Sequence, residues 1–293
     1  METTDVLQRV RRIEIKTRAL TNNIFAGEYH SAFKGRGMSF AEVREYQPGD
    51  EVRDIDWNVT ARLGRPYVKT YEEERELTVV LLVDVSASLD FGTEMRTQRE
   101  MMTEVAATIA FSAMQNNDKV GVVFFSDHIE KFIPPKKGRK HILHIIRELI
   151  DFQPTHHKTD IGQGVEFLTK AINRHCISFL ISDFLDPKSG DLSHLLTIAN
   201  KKHDMVAIQI YDKRMKDIPD VGIIKVADAE MGNEKYIDTS SAKVRAAYSQ
   251  WWIEEQEKLQ SLLKKCGIDY VSISTGEDYV KALMMLFNKR IRF

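Results

Sequence analysis

A carboxylate and two hydroxyls follow a predicted buried strand at alternate positions. Asp84, Ser86 and Ser88 stand at the end of the apolar run 77–83. The continuous Val and Leu content of that run is typical of a strand buried on both faces of a parallel sheet. In open α/β sheets, ligands bind outside the carboxyl ends of the strands. Carboxylate and hydroxyl oxygens are hard ligands that suit Mg²⁺ or Mn²⁺ better than zinc or copper. The spacing therefore predicts a metal site at this strand end.

Two further oxygen donors stand at matching places, and an octahedral ion needs more than three ligands. Thr159 lies in a polar loop just before a predicted helix, and Asp183 follows a second apolar run. Neighbouring parallel strands lie about 4.8 Å apart, so residues at adjacent strand ends can share one ion directly or through water. The predicted metal ligands are Asp84, Ser86, Ser88, Thr159 and Asp183. Mg²⁺ is the expected ion, with Mn²⁺ and Ca²⁺ as alternatives, and at least one position is open to an outside ligand.

Other polar residues near the predicted site have different expected roles. Asp90 and Asp160 are expected to cap helices or support the ligands rather than to bind the ion directly. His156 and His157 would suit a softer metal. Adjacent side chains rarely reach one ion, however, so the interpretation for these two histidines is a solvated loop.

The elements that must position these residues alternate between strand and helix from about Leu77 onward. Strands are predicted at Thr78–Val83, Lys119–Phe125, Ile129–Ile133, Ile177–Ser182, Met205–Tyr211 and Tyr270–Ile273, and helices at Arg96–Gln115, Lys140–Ile150, Ile161–Asn173, Leu192–Asn200, Ala242–Lys265 and Asp278–Asn288. The link 126–128 is too short for a crossover helix, so its two strands are predicted to form an antiparallel hairpin. The fold class is therefore α/β, with a doubly wound, mostly parallel sheet and one antiparallel edge strand.

The chain divides into two predicted regions. Residues 1–76 comprise a basic amphipathic helix at Met1–Leu20 and a dense polar segment, and residues 77–293 form the α/β domain, with an inserted hairpin at about 221–239. Because no low-complexity linker separates the regions, the first is expected to pack on the second. The hairpin is interpreted either as an edge decoration or as a binding element.

Bulk composition excludes several classes of protein. Lys+Arg number 42 against 43 Asp+Glu, which argues against a protein built to coat nucleic acid or a membrane. No stretch approaches the roughly 18–20 apolar residues that span a bilayer, and the first residues do not begin a signal peptide. Cys176 and Cys266 supply no disulfide framework. We expect a cytoplasmic protein without a membrane span.

At these residues the chain resembles two known families. Asp84-Val85-Ser86-Ala87-Ser88, Thr159 and Asp183 resemble the metal-ion-dependent adhesion site (MIDAS) of von Willebrand factor A-type domains. Tyr46-Gln47-Pro48-Gly49-Asp50, Arg53-Asp54-Ile55-Asp56-Trp57 and Ala61-Arg62 resemble the signature of DUF58, a bacterial family of unknown function associated with MoxR-type AAA+ ATPases. The resemblance extends from about Glu28 to Phe293.

The resemblance implies a function and a role for each ligand. Ser86, Ser88 and Thr159 would coordinate the ion directly, and Asp84 and Asp183 would often act through water. The implied function is a metal-dependent protein–protein interaction module that acts as a chaperone adaptor in the assembly or maturation of protein complexes. An acidic side chain of the partner would complete the metal site. The implied partners are a MoxR-type ATPase and its client proteins.

The signature segment has two open interpretations. Its charged residues can form a buried ion-pair network that fastens the N-terminal region to the α/β domain, or they can form a surface for a partner. The residues in question are Arg44, Asp50, Arg53, Asp56 and Arg62.

Two functions of other classes compete with an interaction module. A carboxylate at a strand end is compatible with an Mg²⁺-dependent phosphohydrolase, but such enzymes need a second carboxylate two residues later, where this chain has Ser86. No phosphate loop or other catalytic motif is present, so we predict no enzyme activity, no catalytic residue and no organic cofactor. The basic N-terminal helix favours nucleic-acid or membrane-surface binding, but aromatic residues are not interleaved with its charges.

Overall fold

The computed structural model describes residues 8, 10–16, 24–33, 38–73, 76–90, 92, 96–156, 158–185, 192–227 and 234–291. Along the chain the strands are β1 (Met38–Glu45), β2 (Tyr67–Glu73), β3 (Thr78–Asp84), β4 (Lys119–Phe125), β5 (Ile129–Lys136), β6 (Ile177–Ser182), β7 (Asp204–Tyr211), β8 (Ile223–Ala227), β9 (Glu234–Asp238) and β10 (Asp269–Ser274). The helices are α1 (Ile24–Phe33), α2 (Trp57–Leu63), α3 (Gln98–Gln115), α4 (Arg139–Asp151), α5 (Ile161–Ala171), α6 (Leu192–Lys202), α7 (Lys213–Lys216), α8 (Ala242–Lys265) and α9 (Tyr279–Ile291), with 3-10 turns at Val52–Asp54 and Ala87–Asp90. Residues 10–16 are also helical.

The central sheet has the strand order β10-β7-β6-β3-β4-β5. All neighbouring pairs are parallel except β4 and β5, which are antiparallel. The strand order changes direction at β3: the strands β4 and β5 lie on one side of it, and β6, β7 and β10 lie on the other. The predicted doubly wound, mostly parallel sheet with one antiparallel edge strand is therefore confirmed.

Helices cover both faces of the sheet, and successive residues of β3 point to opposite cores. Leu81 packs with α1, α3, α4 and α9 on one face, and Leu82 packs with α5, α6 and α8 on the other. Such burial on both faces explains why the strand reads as an unbroken apolar run. The inserted hairpin is confirmed as the antiparallel pair β8–β9.

The predicted elements of the α/β domain are all present, and their ends differ from prediction by a few residues at most. Several elements of the N-terminal region were not predicted: helices α1 and α2, the 3-10 turn at Val52–Asp54 and the β1–β2 hairpin. Residues 10–16 bear out the central part of the predicted helix at Met1–Leu20, and the remainder lies largely outside the described residues.

Helix α1 joins the core of the α/β domain. The Tyr29 and Phe33 side chains are fully buried and pack against Phe287 of α9, with ring centroids 6.0 and 5.6 Å away. The hydroxyl of Tyr29 donates a hydrogen bond to Asp118, which also accepts one from the backbone N–H of Leu77. Burial raises the pKa of Asp118 to about 6. Helix α1 is thus anchored by aromatic packing and by a buried acid.

Of the two interpretations of the signature segment, the one in which its charged residues form a single buried network is wrong. Arg44 makes a bidentate pair with Asp50, and Asp56 caps α2 by accepting hydrogen bonds from the backbone N–H groups at its start. Arg53 and Arg62, in contrast, are exposed. The segment is held by short local contacts, as Pro-Gly-Asp turns and helix caps generally are.

Two further observations concern the rest of the chain. Cys176 and Cys266 are free and buried, as small apolar side chains usually are. Among the described residues there is no helix with both the length and the apolar character needed to cross a bilayer.

Arg290 offers a test of this packing, because its side chain is buried between charged and aromatic partners. The guanidinium binds both oxygens of Asp204 at 2.6 Å and lies 4.6 Å from the ring centroid of Phe33. We expect Arg290→Ala to lower the free energy of unfolding by about 3–5 kcal/mol, because it leaves the Asp204 carboxylate buried without its cation. Urea denaturation measures the effect.

The matched control is Arg53→Ala, whose side chain is 91% exposed. This control should change the free energy of unfolding by about 0.5 kcal/mol or less. Similar small effects of both substitutions would contradict the anchoring role of Arg290.

Candidate metal centre

Asp84 ends the central strand β3 and is buried at the carboxyl edge of the sheet. Its Oδ1 accepts a hydrogen bond of 2.9 Å from the backbone N–H of Ser86. Its Oδ2 accepts one of 2.7 Å from the hydroxyl of Ser182. The two bonds fix the orientation of the carboxylate without supplying a positive charge.

Asp183 follows β6, the neighbour of β3, and is also buried. Its Oδ1 accepts a hydrogen bond from the backbone N–H of Leu185 at 3.0 Å, and its carbonyl accepts one from Gln209. The next residue, Phe184, has a φ of +59°, a left-handed conformation that is strained for a bulky side chain. The backbone N–H of Phe184 donates to the Ser182 hydroxyl, which stabilises this turn. Ser182 therefore connects the turn that carries Asp183 to Asp84.

Two buried carboxylates at adjacent strand ends are electrostatically unfavourable. Burial, and secondly the negative charge of Asp183, raise the pKa of Asp84 to about 7. The ionised carboxylates of Asp84 and Asp183 therefore repel each other. A divalent cation between them would remove this repulsion.

The two predicted serine ligands lie directly after Asp84. Ser86 is fully buried and Ser88 is half-buried, and their hydroxyl oxygens are 3.1 Å apart. The backbone N–H of Val85 donates to the carbonyl of Phe125 at the end of β4. This hydrogen bond ties the loop of the serines to the strand on the other side of β3.

Thr159 is buried in a loop attached to the end of β4. The backbone N–H of the next residue, Asp160, donates to the carbonyl of Ser126. The Asp160 side chain caps α5 by accepting from the N–H of Gln163, which confirms its predicted capping role. Helix α5 approaches the sheet closely at Gly164, where an added Cβ would lie 3.0 Å from the ring of Phe125.

The structure thus brings all five predicted ligands to one edge of the sheet, at the ends of the adjacent strands β6, β3 and β4. The set comprises Asp84, Ser86, Ser88, Thr159 and Asp183. Their carboxylate and hydroxyl oxygens fit a hard divalent cation. The side chain of Asp90 lies outside the described part of the structure.

Two supporting residues escaped the sequence analysis. Ser182 precedes Asp183 directly, so its position at the strand end was a usable signal. The sequence gives no indication of the role of Glu130, because most of its hydrogen-bond partners come from a loop that is distant in sequence. Its side chain is 4% exposed and accepts hydrogen bonds from Ser126, Thr155 and the backbone N–H of His156. Glu130 therefore holds the loop that leads to Thr159.

Comparison with known proteins gives a family match over most of the chain. The sequence profile described as "Protein of unknown function DUF58" matches residues 42–258. The uncharacterized protein Rv1480 of Mycobacterium tuberculosis is 29% identical over 285 residues, which cover 97% of this chain and 89% of that protein.

Solved structures align with this chain at low sequence identity. The conserved hypothetical protein BatB of Bacteroides thetaiotaomicron aligns with a TM-score of 0.51 and 16% identity, over 74% of this chain and all of that one. The VWA domain of SpRpn10 aligns with a TM-score of 0.43 and 13% identity, over 73% of this chain and 94% of that one. At 16% identity the similarity to BatB concerns the fold and not the activity.

Asp84→Asn tests two properties of the carboxylate pair: its effect on the free energy of unfolding and its role in binding Mg²⁺. The raised pKa of Asp84 means that stability is lost as the pH rises through about 7. At pH 8, with chelator, we expect Asp84→Asn to raise the free energy of unfolding by about 1–3 kcal/mol, because it removes one of two buried charges. Urea denaturation with and without Mg²⁺ should show that Mg²⁺ stabilises the wild type but not the variant.

The control for this experiment is Asp220→Asn, at a carboxylate that is 60% exposed. It should behave as the wild type does in both conditions. A wild type that is unaffected by Mg²⁺, Mn²⁺ and Ca²⁺ would contradict the metal site.

Glu130→Gln tests the support of the Thr159 loop. Burial alone would raise the pKa of Glu130, but the hydrogen bonds from Thr155, His156 and Ser126 outweigh burial and lower that pKa to about 2. The ionised carboxylate therefore contributes stability above pH 4.5 that is lost as the pH falls toward 2. We expect Glu130→Gln to cost up to about 3 kcal/mol at pH 7. In urea denaturation its difference from the wild type should shrink markedly at pH 3.

Glu166→Gln is the matched control, since that side chain is 43% exposed and pairs with Lys170 of its own helix. Its effect should be about 0.5 kcal/mol or less at either pH. A Glu130→Gln deficit that did not change with pH would argue against an ionised Glu130 as the anchor.

Proposed function

The chain belongs to the DUF58 family, described as proteins of unknown function, and from this premise we propose that it is a metal-dependent protein-interaction module. The proposed metal ligands are Asp84, Ser86, Ser88, Thr159 and Asp183, and the proposed ion is Mg²⁺. Zinc, Mn²⁺ and Ca²⁺ are the ions to compare with it.

One observation carries this proposal: two buried acids at adjacent strand ends act on each other with the same charge. Burying like charges together is costly, and buried charges in proteins are generally paired or coordinate metal ions. The nearby hydroxyls of Ser86 and Thr159 are buried as well. Such a donor set is suited to a hard ion in a pre-formed position.

The protein residues and the ion have separate roles in this proposal. Ser182 and the backbone N–H of Ser86 orient the Asp84 carboxylate, and the Leu185 N–H orients that of Asp183. When bound, the ion would supply positive charge and an open coordination position. A carboxylate from a partner protein would fit this site, because its negative charge is attracted to the ion and its oxygen can fill the open position. On the resemblance of the signature segment, the proposed partner is a MoxR-type AAA+ ATPase with its client proteins, and the chain is its adaptor.

A catalytic role is the main competing function, because the acid at a strand end is also found in Mg²⁺-dependent phosphohydrolases. In this chain Ser86 occupies the position of the second carboxylate, and a serine hydroxyl is a poor acid–base group at neutral pH. We therefore propose a non-catalytic protein. Hydrolysis of a generic phosphate ester in Mg²⁺ that disappears with Asp84→Asn would favour the enzyme.

Nucleic-acid or membrane-surface binding is less well supported. In the described part of the basic N-terminal helix, Val10 is buried and Lys16 pairs with Glu104 at 2.6 Å. Arg11 and Arg12 remain exposed. Part of the helix thus packs on the domain, and only part of its charge is free to meet phosphate groups.

The direct test is binding of the purified chain to a purified MoxR-type ATPase from the same organism. We expect binding in Mg²⁺, and at least a tenfold weaker affinity in EDTA or with Asp84→Asn or Ser88→Ala. Asp220→Asn serves as the control and should bind as the wild type does. Surface plasmon resonance or calorimetry measures each affinity.

The outcomes distinguish the parts of the proposal. Equal binding in all conditions would assign the metal a structural role and direct attention to the exposed signature segment 46–57. Absence of binding by any variant in any condition would contradict the proposed partner, and the phosphatase and nucleic-acid assays would then decide between the remaining functions.

A further inference from the structure

A second cluster of metal-binding side chains lies beside the Thr159 loop. Asp127 and His128 form the turn between β4 and β5, and His156 lies in the loop after α4. Each of the three residues offers one donor atom, and these atoms all lie within 4.8 Å of one another. The rings of His128 and His156 are nearly parallel, with centroids 4.2 Å apart. Residues from two separate segments therefore meet at one point.

Hydrogen bonds to carboxylates hold both imidazoles in place. Nδ1 of His156 lies 3.2 Å from Oε1 of Glu130, and Nδ1 of His128 lies 3.0 Å from Oδ1 of Asp127. An ionised carboxylate only accepts hydrogen bonds, so the neutral His156 ring donates from Nδ1 and carries its lone pair on Nε2. His156, which Glu130 orients in this way, has the usual arrangement of a metal ligand. Asp127 and His128 face each other directly, so both can offer a donor atom to one ion once their mutual hydrogen bond is given up.

The donor chemistry differs from that of the candidate magnesium site. Two imidazole nitrogens and one carboxylate oxygen suit Zn²⁺. In catalytic sites this ion has three protein ligands and one open position. Mg²⁺, in contrast, prefers oxygen donors in octahedral geometry. Zinc also binds nitrogen-containing sites more tightly than Mn²⁺ does.

We propose that Asp127, His128 and His156 form a second metal site, which takes a zinc-class divalent cation. Zinc binds such donors at about 2.0–2.2 Å, which sets tetrahedral ligand atoms roughly 3.5 Å apart, so donor atoms within 4.8 Å of one another need only a small movement. The His128 and His156 side chains are 62% and 48% exposed, and rotation of these side chains supplies that movement. The fourth position faces outward, to water or to a ligand from another molecule.

The site would link the β4–β5 turn to the segment that carries Thr159. The two are already joined by the hydrogen bond from the Asp160 N–H to the Ser126 carbonyl. A metal bound to His156, three residues before Thr159, would hold this loop more firmly. The sequence interpretation paired His156 with its neighbour His157, whereas the structure gives His156 a partner from another segment.

The test uses tag-free, full-length protein that has been stripped with chelator. Zinc affinity is measured by competition with a chromophoric chelator in the Asp84→Asn background, so that the candidate magnesium site does not contribute. We expect one bound zinc, and at least a tenfold weaker affinity with His128→Ala or His156→Ala. His144→Ala is the control, because this exposed histidine also lies near a carboxylate, 3.8 Å from Glu148.

A second measurement identifies the donors. Co²⁺ in a site with imidazole ligands should give the visible absorption of low-coordinate cobalt in the parent protein and in His144→Ala, and not in the two site variants. Circular dichroism melts check that every variant is folded. Zinc affinity that is unchanged by the His128 and His156 substitutions, or that depends on His157 instead of His156, would overturn the assignment.

Discussion

The candidate metal centre depends on two acids placed where parallel strands end. Parallel pairing of β3 with β6 puts Asp84 and Asp183 at the same edge, and the helices on both faces bury that edge. Neutral hydrogen bonds from Ser182 and from backbone N–H groups moderate the resulting repulsion. A protein optimised for stability alone would replace one of these acids. Their burial lowers stability, and it is explained if the two acids serve to bind a cation from solution.

The rest of the edge keeps this arrangement in register. On one side, the strained turn at Phe184 holds Asp183 toward β3. On the other, the loop with Thr159 is fixed by the buried acceptor Glu130 and by the close approach of α5 at Gly164. Each of these supports acts through hydrogen bonds or close packing. Rigid positioning of the donor atoms is what a pre-formed cation site requires.

The sequence predicts features that arise from local patterns better than features that arise from contacts between distant residues. Strands buried on both faces leave unbroken apolar runs, and helices leave a 3.6-residue period, so the α/β domain and the positions of Asp84, Thr159 and Asp183 were accessible. Helix α1 could not be predicted, because its sequence has no clear amphipathic stripe. Its residues Tyr29 and Phe33 are buried by packing against α9, which is distant in sequence. The signature segment misled for a related reason: a dense run of charges says nothing about burial, and its pairs proved local. The cluster of Asp127, His128 and His156 joins segments far apart in sequence, where spacing alone carries no information.

The two candidate sites differ in the ion that they prefer. Softer ions bind most mixed sites more tightly than Mg²⁺ does, and imidazole suits zinc better than hydroxyl oxygen does. The histidine cluster would therefore fill with zinc at lower concentrations than the oxygen site would. Zinc bound there would act on the Thr159 loop through His156, and the two sites would be coupled through this loop although each binds its own ion.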